Sequence, residues 1–497
     1  MRAIGGFVLA AVIGLAPAAV IAAQQASGDA QALALLAKHK AFVGWQFGDG
    51  SFQTMRISGN TADVKGKKVE NFVLLYAGLL YNNVYTDLKR DNVTQHEGFT
   101  GNLFWQSDYN GFTTPVYGDY AKFRASLSVL INEGTTELPA SYRGTATVDG
   151  KEAGVARVTL RNADAMDLYV DPATGAYLKA TLDPGGAYET TFHIRSYQDV
   201  LPGKKMMSSY TVDDNKDVTT YTKFEPNAVV TSDDLHPPAA AASWTFGDGA
   251  PFPFTMTHDR MILDATINGV KGRFLLDTGA DSIVIWDSFA DRAHLDVLNK
   301  SDTGQMLWGE VKTRLRKINT IALGNATLHD VVGFSQSEEV HSGNDPRDDF
   351  DGLIGFDLFA GAIVKLNVYD STMAILDPAT DLSSEKGLPV LVDLSQGVPM
   401  VPMTLNKTTP VNAALDTGSP GIILFGPDII SKYHFQMFQG CANINTLTVG
   451  PFVYTSESAC EFGMSGNDML LGFDFLKHFD FVFDYPHGRI LMTPNKN

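Results

Sequence analysis

Two stretches decide the fold: residues 260–280, RMILDATINGVKGRFLLDTGA, and residues 399–419, PMVPMTLNKTTPVNAALDTGS. They align without gaps at a constant offset of 139 residues. Each reads as two strands joined by a short polar turn, and each ends in apolar residues followed by Asp-Thr-Gly. The correspondence continues outward. Ile283-Val284-Ile285 answers Ile422-Ile423-Leu424, and the run from Ile318 to Gly324 answers the run from Ile444 to Gly450. It closes with Asp351-Gly352-Leu353-Ile354-Gly355-Phe356-Asp357 against Asp468-Met469-Leu470-Leu471-Gly472-Phe473-Asp474. Four elements repeated in one order indicate two copies of one folding unit.

The repeated tripeptide carries chemistry only in that context, because a lone Asp-Thr-Gly is ordinarily a turn. Asp277 and Asp416 hold equivalent places in the two copies, each at the end of an apolar strand. A twofold arrangement of the copies brings both loops to one interface. Two carboxylates about 3 Å apart cannot both ionise, so they share a proton over the acidic range. One then serves as base toward a water while the other donates to a substrate carbonyl. Gly279 and Gly418 let main-chain N–H groups approach a carboxylate without an intervening Cβ. Thr278 and Thr417 each offer a hydroxyl to the opposite loop. Gly355 and Gly472, the closing glycines, let a second segment pass close behind each loop.

These residues resemble those of the aspartic proteases. Leu-Leu-Asp-Thr-Gly-Ala and Ala-Leu-Asp-Thr-Gly-Ser are each paired with a downstream Leu-Ile-Gly or Leu-Leu-Gly. Each copy is similar to one retropepsin-like unit, and the tandem resembles the pepsin arrangement. The resemblance covers about residues 244–497. It implies two β-rich lobes forming a bilobal double β-barrel, with a cleft between them. It also implies hydrolysis of peptide bonds by Asp277 and Asp416, without a metal, another cofactor or a covalent intermediate. Departures lie beside the first aspartate, where Ala280 stands opposite Ser419 and Asp281 adds a carboxylate. A Ser419 hydroxyl donating to Asp416, with Asp281 charged beside Asp277, places the shared proton on Asp277. The first copy separates its aspartate from its closing glycine by 78 residues and the second by 56. The extra length includes a Gly-flanked apolar tip at 303–309, so Trp308 and Gly309 are the flap candidates.

The chain around these copies has 497 residues, 44% hydrophobic and 19% charged, too long for a single core. Its net charge of −18 repels nucleic acid, which removes that class of partner. Arg2, the apolar run 5–21 and small residues near Ala22 read as a cleaved export signal over 1–23. A periplasmic or secreted monomer acting on a peptide or protein, with no remaining membrane segment, is the expectation. Only two cysteines occur, Cys441 and Cys460, and an oxidising compartment makes them a candidate disulfide across a predicted hairpin. The eleven histidines are scattered, and no His/Cys spacing suits a metal.

Residues 24–235 carry no catalytic motif. Apolar spacing predicts a helix over 30–43, and a second helix is expected at about 120–132. The rest reads as an antiparallel β-rich α+β domain, with a strand–turn–strand unit around Asp171-Pro172-Ala173-Thr174-Gly175. On these fewer features the region resembles periplasmic lipoprotein-carrier half-barrels. A linker is expected at 236–243, where Pro237-Pro238 breaks any helix. Lobes at 244–380 and 381–497 follow. The competing functional reading is a non-catalytic protease-like scaffold whose first half binds a lipid or peptide.

Overall fold

The computed structural model describes residues 28–88, 93–160, 164–186, 188–298, 302–306, 309–337, 350–419, 423–461 and 469–495. The expected export signal and Trp308 lie outside the described residues. The fold is mainly β, as the sequence predicts. It divides into two compact units that interleave along the chain. The first comprises Met1–Val84, Gly98–Phe104 and Asp119–His236, and the second Tyr85–Glu97, Trp105–Gly118 and Pro237–Asn497. Two short segments that the sequence assigns to the first half belong instead to the second unit.

In the first unit, helix Ala30–Val43 forms where its spacing predicts it. Asp29 caps the helix by accepting from the Ala32 N–H at 2.8 Å, and Gly44, at φ 75°, ends it in the left-handed region. Its inward residues Ala32 and Leu36 share a core with Leu168, Val170, Tyr177 and Ala180. Those four lie on Ala165–Val170 and Tyr177–Leu182, the predicted strand–turn–strand unit. The second predicted helix is Gly118–Ile131. The buried His39 is satisfied on both ring nitrogens, by Glu133 Oε2 at 2.8 Å and the Gly175 carbonyl at 2.9 Å.

The second unit carries twelve strands that matter for the site. In the first repeated stretch these are β1 (Arg260–Ile267), β2 (Val270–Leu276), β3 (Val284–Trp286), β4 (Gly309–Leu323), β5 (Ala326–Gln336) and β6 (Gly352–Ile354). In the second they are β7 (Met400–Leu405), β8 (Thr409–Leu415), β9 (Ile423–Phe425), β10 (Cys441–Val449), β11 (Phe452–Glu461) and β12 (Met469–Leu471). The pairings correspond strand for strand. The hairpins β1–β2 and β4–β5 match β7–β8 and β10–β11. Parallel β2–β6 matches β8–β12, antiparallel β3–β6 matches β9–β12, and parallel β3–β5 matches β9–β11. β7 to β12 close into a barrel.

A six-stranded sheet joins the two copies. Its central strands, Ile363–Asn367 and Phe479–Asp484, pair antiparallel, one from the tail of each copy. Phe359, Phe479, Phe481 and Phe483 are buried around that sheet, so a single apolar core runs through both copies. This continuity of core fixes the distance between the two Asp-Thr-Gly loops, because packed interiors have little room to shift.

Candidate active site

Each aspartate leaves the end of a strand that is held from behind. The Asp277 N–H donates to the Ile354 carbonyl at 3.0 Å, and the Asp416 N–H to the Leu471 carbonyl at 2.9 Å. The residue three positions further along each loop is fixed in the same way. The Ala280 carbonyl accepts from Phe356 N–H at 3.0 Å, and the Ser419 carbonyl from Phe473 N–H at 3.1 Å. Gly355 is required there, since a Cβ on it would stand 2.5 Å from the Ala280 carbonyl oxygen. Gly472 occupies the matching place and opens helix Phe473–Leu476.

The two loops are tied together by a reciprocal lattice. Thr278 N–H donates to Thr417 Oγ1 at 3.0 Å, and Thr417 N–H donates to Thr278 Oγ1 at 3.0 Å. Each hydroxyl then donates across the interface, Thr278 to the Leu415 carbonyl and Thr417 to the Leu276 carbonyl, both at 2.7 Å. Both threonines are buried, at 1% and 0% exposure, so these bonds are not exchanged with water.

The lattice places each glycine against the opposite carboxylate. A Cβ on Gly279 would lie 2.5 Å from Asp416 Cγ, and one on Gly418 would lie 2.4 Å from Asp277 Cγ. No residue with a side chain fits either position. Gly279 N–H donates to Asp277 Oδ1 at 2.9 Å, and Gly418 N–H to Asp416 Oδ1 at 2.8 Å. A hydrogen bond joins the two carboxyls directly. Burial, and next the charge of Asp416, pushes Asp277 well above the usual carboxylate range. Burial raises Asp416 as well, but its bond from Asp277 and three main-chain N–H groups oppose the rise. The two shifts run in the same direction, and that of Asp277 is the larger.

Two groups beside the pair are placed differently from the sequence reading. Ser419 reaches Asp416 through its main-chain N–H, at 3.1 Å, rather than through the expected hydroxyl. Asp281 accepts from Ser282 Oγ at 3.0 Å and acts electrostatically on Asp357 rather than on Asp277. Neither choice is visible locally, because both depend on which way a loop side chain turns.

Strand Asp302–Met306 pairs with β4 up to Met306 opposite Gly309, so the expected hairpin in the first copy is formed. Cys441 and Cys460 face each other across the β10–β11 hairpin and are bonded. Among the described residues there is no group of three His, Cys, Asp or Glu side chains that could hold a metal ion. No described helix is long and apolar enough to cross a membrane. Sequence reasoning missed Asp108, Asn110 and Asp357, which gather behind the first loop. Asp357 was legible as part of the repeat, but nothing in the sequence links it to Asn110.

Residues 263–358 match the family model for aspartyl protease. That span runs from β1 past Asp277 and Gly355 to the helix that follows β6. No curated protein matches the chain. The match makes this part of the chain aspartic-protease-like, and it supports a hydrolase of the peptidase class acting on peptides.

Proposed function

We propose that this protein is an exported aspartic endopeptidase in which Asp277 and Asp416 activate one water between them. The observation that carries the reading is the reciprocal Thr278–Thr417 lattice, which holds two hydrogen-bonded carboxyls against opposing glycines. A scaffold without catalysis has no use for such an arrangement, since two buried carboxyls cost stability. Asp277, neutral, donates to the substrate carbonyl. Asp416, ionised, takes a proton from the water as its oxygen attacks the carbonyl carbon. The resulting diol collapses as the amide nitrogen is protonated and leaves.

The matched pairings of β1–β6 and β7–β12 support two lobes of one protease unit in tandem. The hairpin that Asp302–Met306 forms with β4 is the flap candidate. The bonded cysteine pair supports an oxidising compartment, hence the periplasm or the exterior. Helix Ala30–Val43 lying on an antiparallel sheet supports the half-barrel resemblance of the first half.

Digestion of a peptide library by the purified protein, with pepstatin as a control, tests this reading. Pepstatin-sensitive internal cleavage is expected, and it is lost in Asp277→Asn. Failure to cleave any peptide across pH 3–7, or cleavage retained in Asp277→Asn, refutes it.

A further inference from the structure

The segment Trp105–Gly118 precedes the first lobe by well over a hundred residues yet is part of the same compact unit. At its centre Asn110 is 1% exposed and uses its side chain fully. Asn110 Nδ2 donates to Asp357 Oδ1 at 2.8 Å and to the Val332 carbonyl at 3.2 Å, while Asn110 Oδ1 accepts from Val332 N–H at 2.7 Å. The other oxygen of Asp357 accepts from Ile283 N–H at 2.7 Å. Ile283 ends the loop that begins at Asp277. A chain of three groups thus runs from Asn110 through one carboxylate to the return limb of the candidate catalytic loop.

The turn that aims Asn110 is itself built. Asp108 Oδ1 accepts from Asn110 N–H at 2.9 Å and Phe112 N–H at 2.8 Å. The Asn110 carbonyl accepts from Ala241 and Ala242 at 3.1 and 3.2 Å. Gly111, at φ 83°, lies so close to Ala240 Cα that a Cβ would stand 2.8 Å from it. Phe112 packs on Gly361, where a Cβ would meet its ring at 2.5 Å.

The matching aspartate after Gly472-Phe473 is placed differently. Asp474 follows Gly472-Phe473 as Asp357 follows Gly355-Phe356, yet its side chain is 58% exposed and pairs with Lys477. Asp357 is 1% exposed. A carboxylate so buried persists only if its oxygens are hydrogen-bonded. Asn110 supplies one of the two bonds, so the loop's anchor depends on a residue from the first half of the chain.

We propose that Asn110 is a positioning residue for peptide hydrolysis, holding Asp357 so that Asp357 holds the 277–283 loop in register with the 416–419 loop. The claim rests on the protease reading for its kinetic part, while its effect on the loop stands alone. Three acidic groups face this anchor: Asp108 from the same segment, Asp281 from the loop, and Asp357 itself.

The test compares full-length wild type, Asn110→Ala and Asn110→Asp. Amide exchange followed by mass spectrometry reads the 277–283 loop, and steady-state kinetics read kcat and KM separately. In Asn110→Ala the loop exchanges at least tenfold faster while β7–β12 does not change, and kcat falls at least tenfold with KM within threefold. In Asn110→Asp the introduced carboxyl, when protonated, still donates to Asp357 and accepts from Val332. Loop protection and kcat are therefore near wild type at about pH 4 and lost as pH rises toward 7, where the new charge opposes Asp357. Unchanged loop exchange in Asn110→Ala, or a pH profile of Asn110→Asp parallel to wild type, overturns the proposal. If the loop loosens as expected but wild type cleaves nothing, the protease reading fails and the anchor stands.

Discussion

Replacing Thr278 by Val keeps the shape of the side chain and removes one oxygen from the interface between the two loops. That oxygen makes two bonds, accepting from Thr417 N–H at 3.0 Å and donating to the Leu415 carbonyl at 2.7 Å. Both partners are main-chain groups in a buried region, so each is left unsatisfied. An orphaned buried group costs about 1–3 kcal/mol, and two together cost roughly 2–6 kcal/mol. Taking about 4 kcal/mol, and roughly 2–4 °C per kcal/mol for a unit of this size, the midpoint of thermal unfolding falls by about 10 °C. Thr278→Ser retains the hydroxyl and loses only a methyl group, so its midpoint falls by less than about 3 °C. Differential scanning calorimetry of wild type and both variants, at one pH and scan rate, gives the comparison. The reasoning fails if Thr278→Val unfolds within about 2 °C of wild type, or if Thr278→Ser is destabilised as much as Thr278→Val.

Further outcomes follow from the same geometry. Asp277→Asn and Asp416→Asn each reduce peptide hydrolysis by at least about a thousandfold, and the double variant is little worse, because the pair acts as one unit; single-turnover assays check this. Gly418→Ala places a methyl group 2.4 Å from Asp277 Cγ, so it abolishes cleavage while circular dichroism keeps its β signature. Reducing the Cys441–Cys460 bond, which closes a loop of about twenty residues, costs roughly 3 kcal/mol in a chain-entropy account, and denatured, unreduced protein shows no titratable thiol. The fourth concerns pH. Burial raises Asp357 to about 7 and, with the charge of Asp357 adding to burial, raises Asp108 well above the carboxylate range. Carboxyls raised in the folded state favour folding below their unfolded value of about 4, and that advantage is lost as pH rises through the folded values. The second unit is accordingly more stable at pH 5 than at pH 8. Asp108→Asn mimics the protonated form, so it raises the unfolding midpoint at pH 8 and leaves it nearly unchanged at pH 4. An equal shift at both pH values refutes the assignment of a buried proton to Asp108.

Much of this protein is legible in its sequence because the informative patterns are local. Apolar alternation and polar turns mark β1–β2 and β7–β8, and the repeat of Asp-Thr-Gly with a later apolar-apolar-Gly identifies which ends of those strands meet. Helix Ala30–Val43 is visible for the same reason, since a 3.6-residue period and a capping Asp29 lie within a few residues of each other. The pairing of Cys441 with Cys460 needed no more than a hairpin between the only two cysteines. The tertiary structure decided what local pattern cannot encode. Gly355-Phe356-Asp357 and Gly472-Phe473-Asp474 read alike, yet one carboxylate is buried and the other exposed. The buried one is bonded to Asn110, which is 247 residues away from Asp357 in the chain and 2.8 Å away in the fold. The same holds for the main-chain N–H groups that converge on Asp416 from both loops and oppose the rise that burial causes. Charge burial and hydrogen-bond satisfaction are properties of a completed interior, so they emerge only when distant segments close around a group.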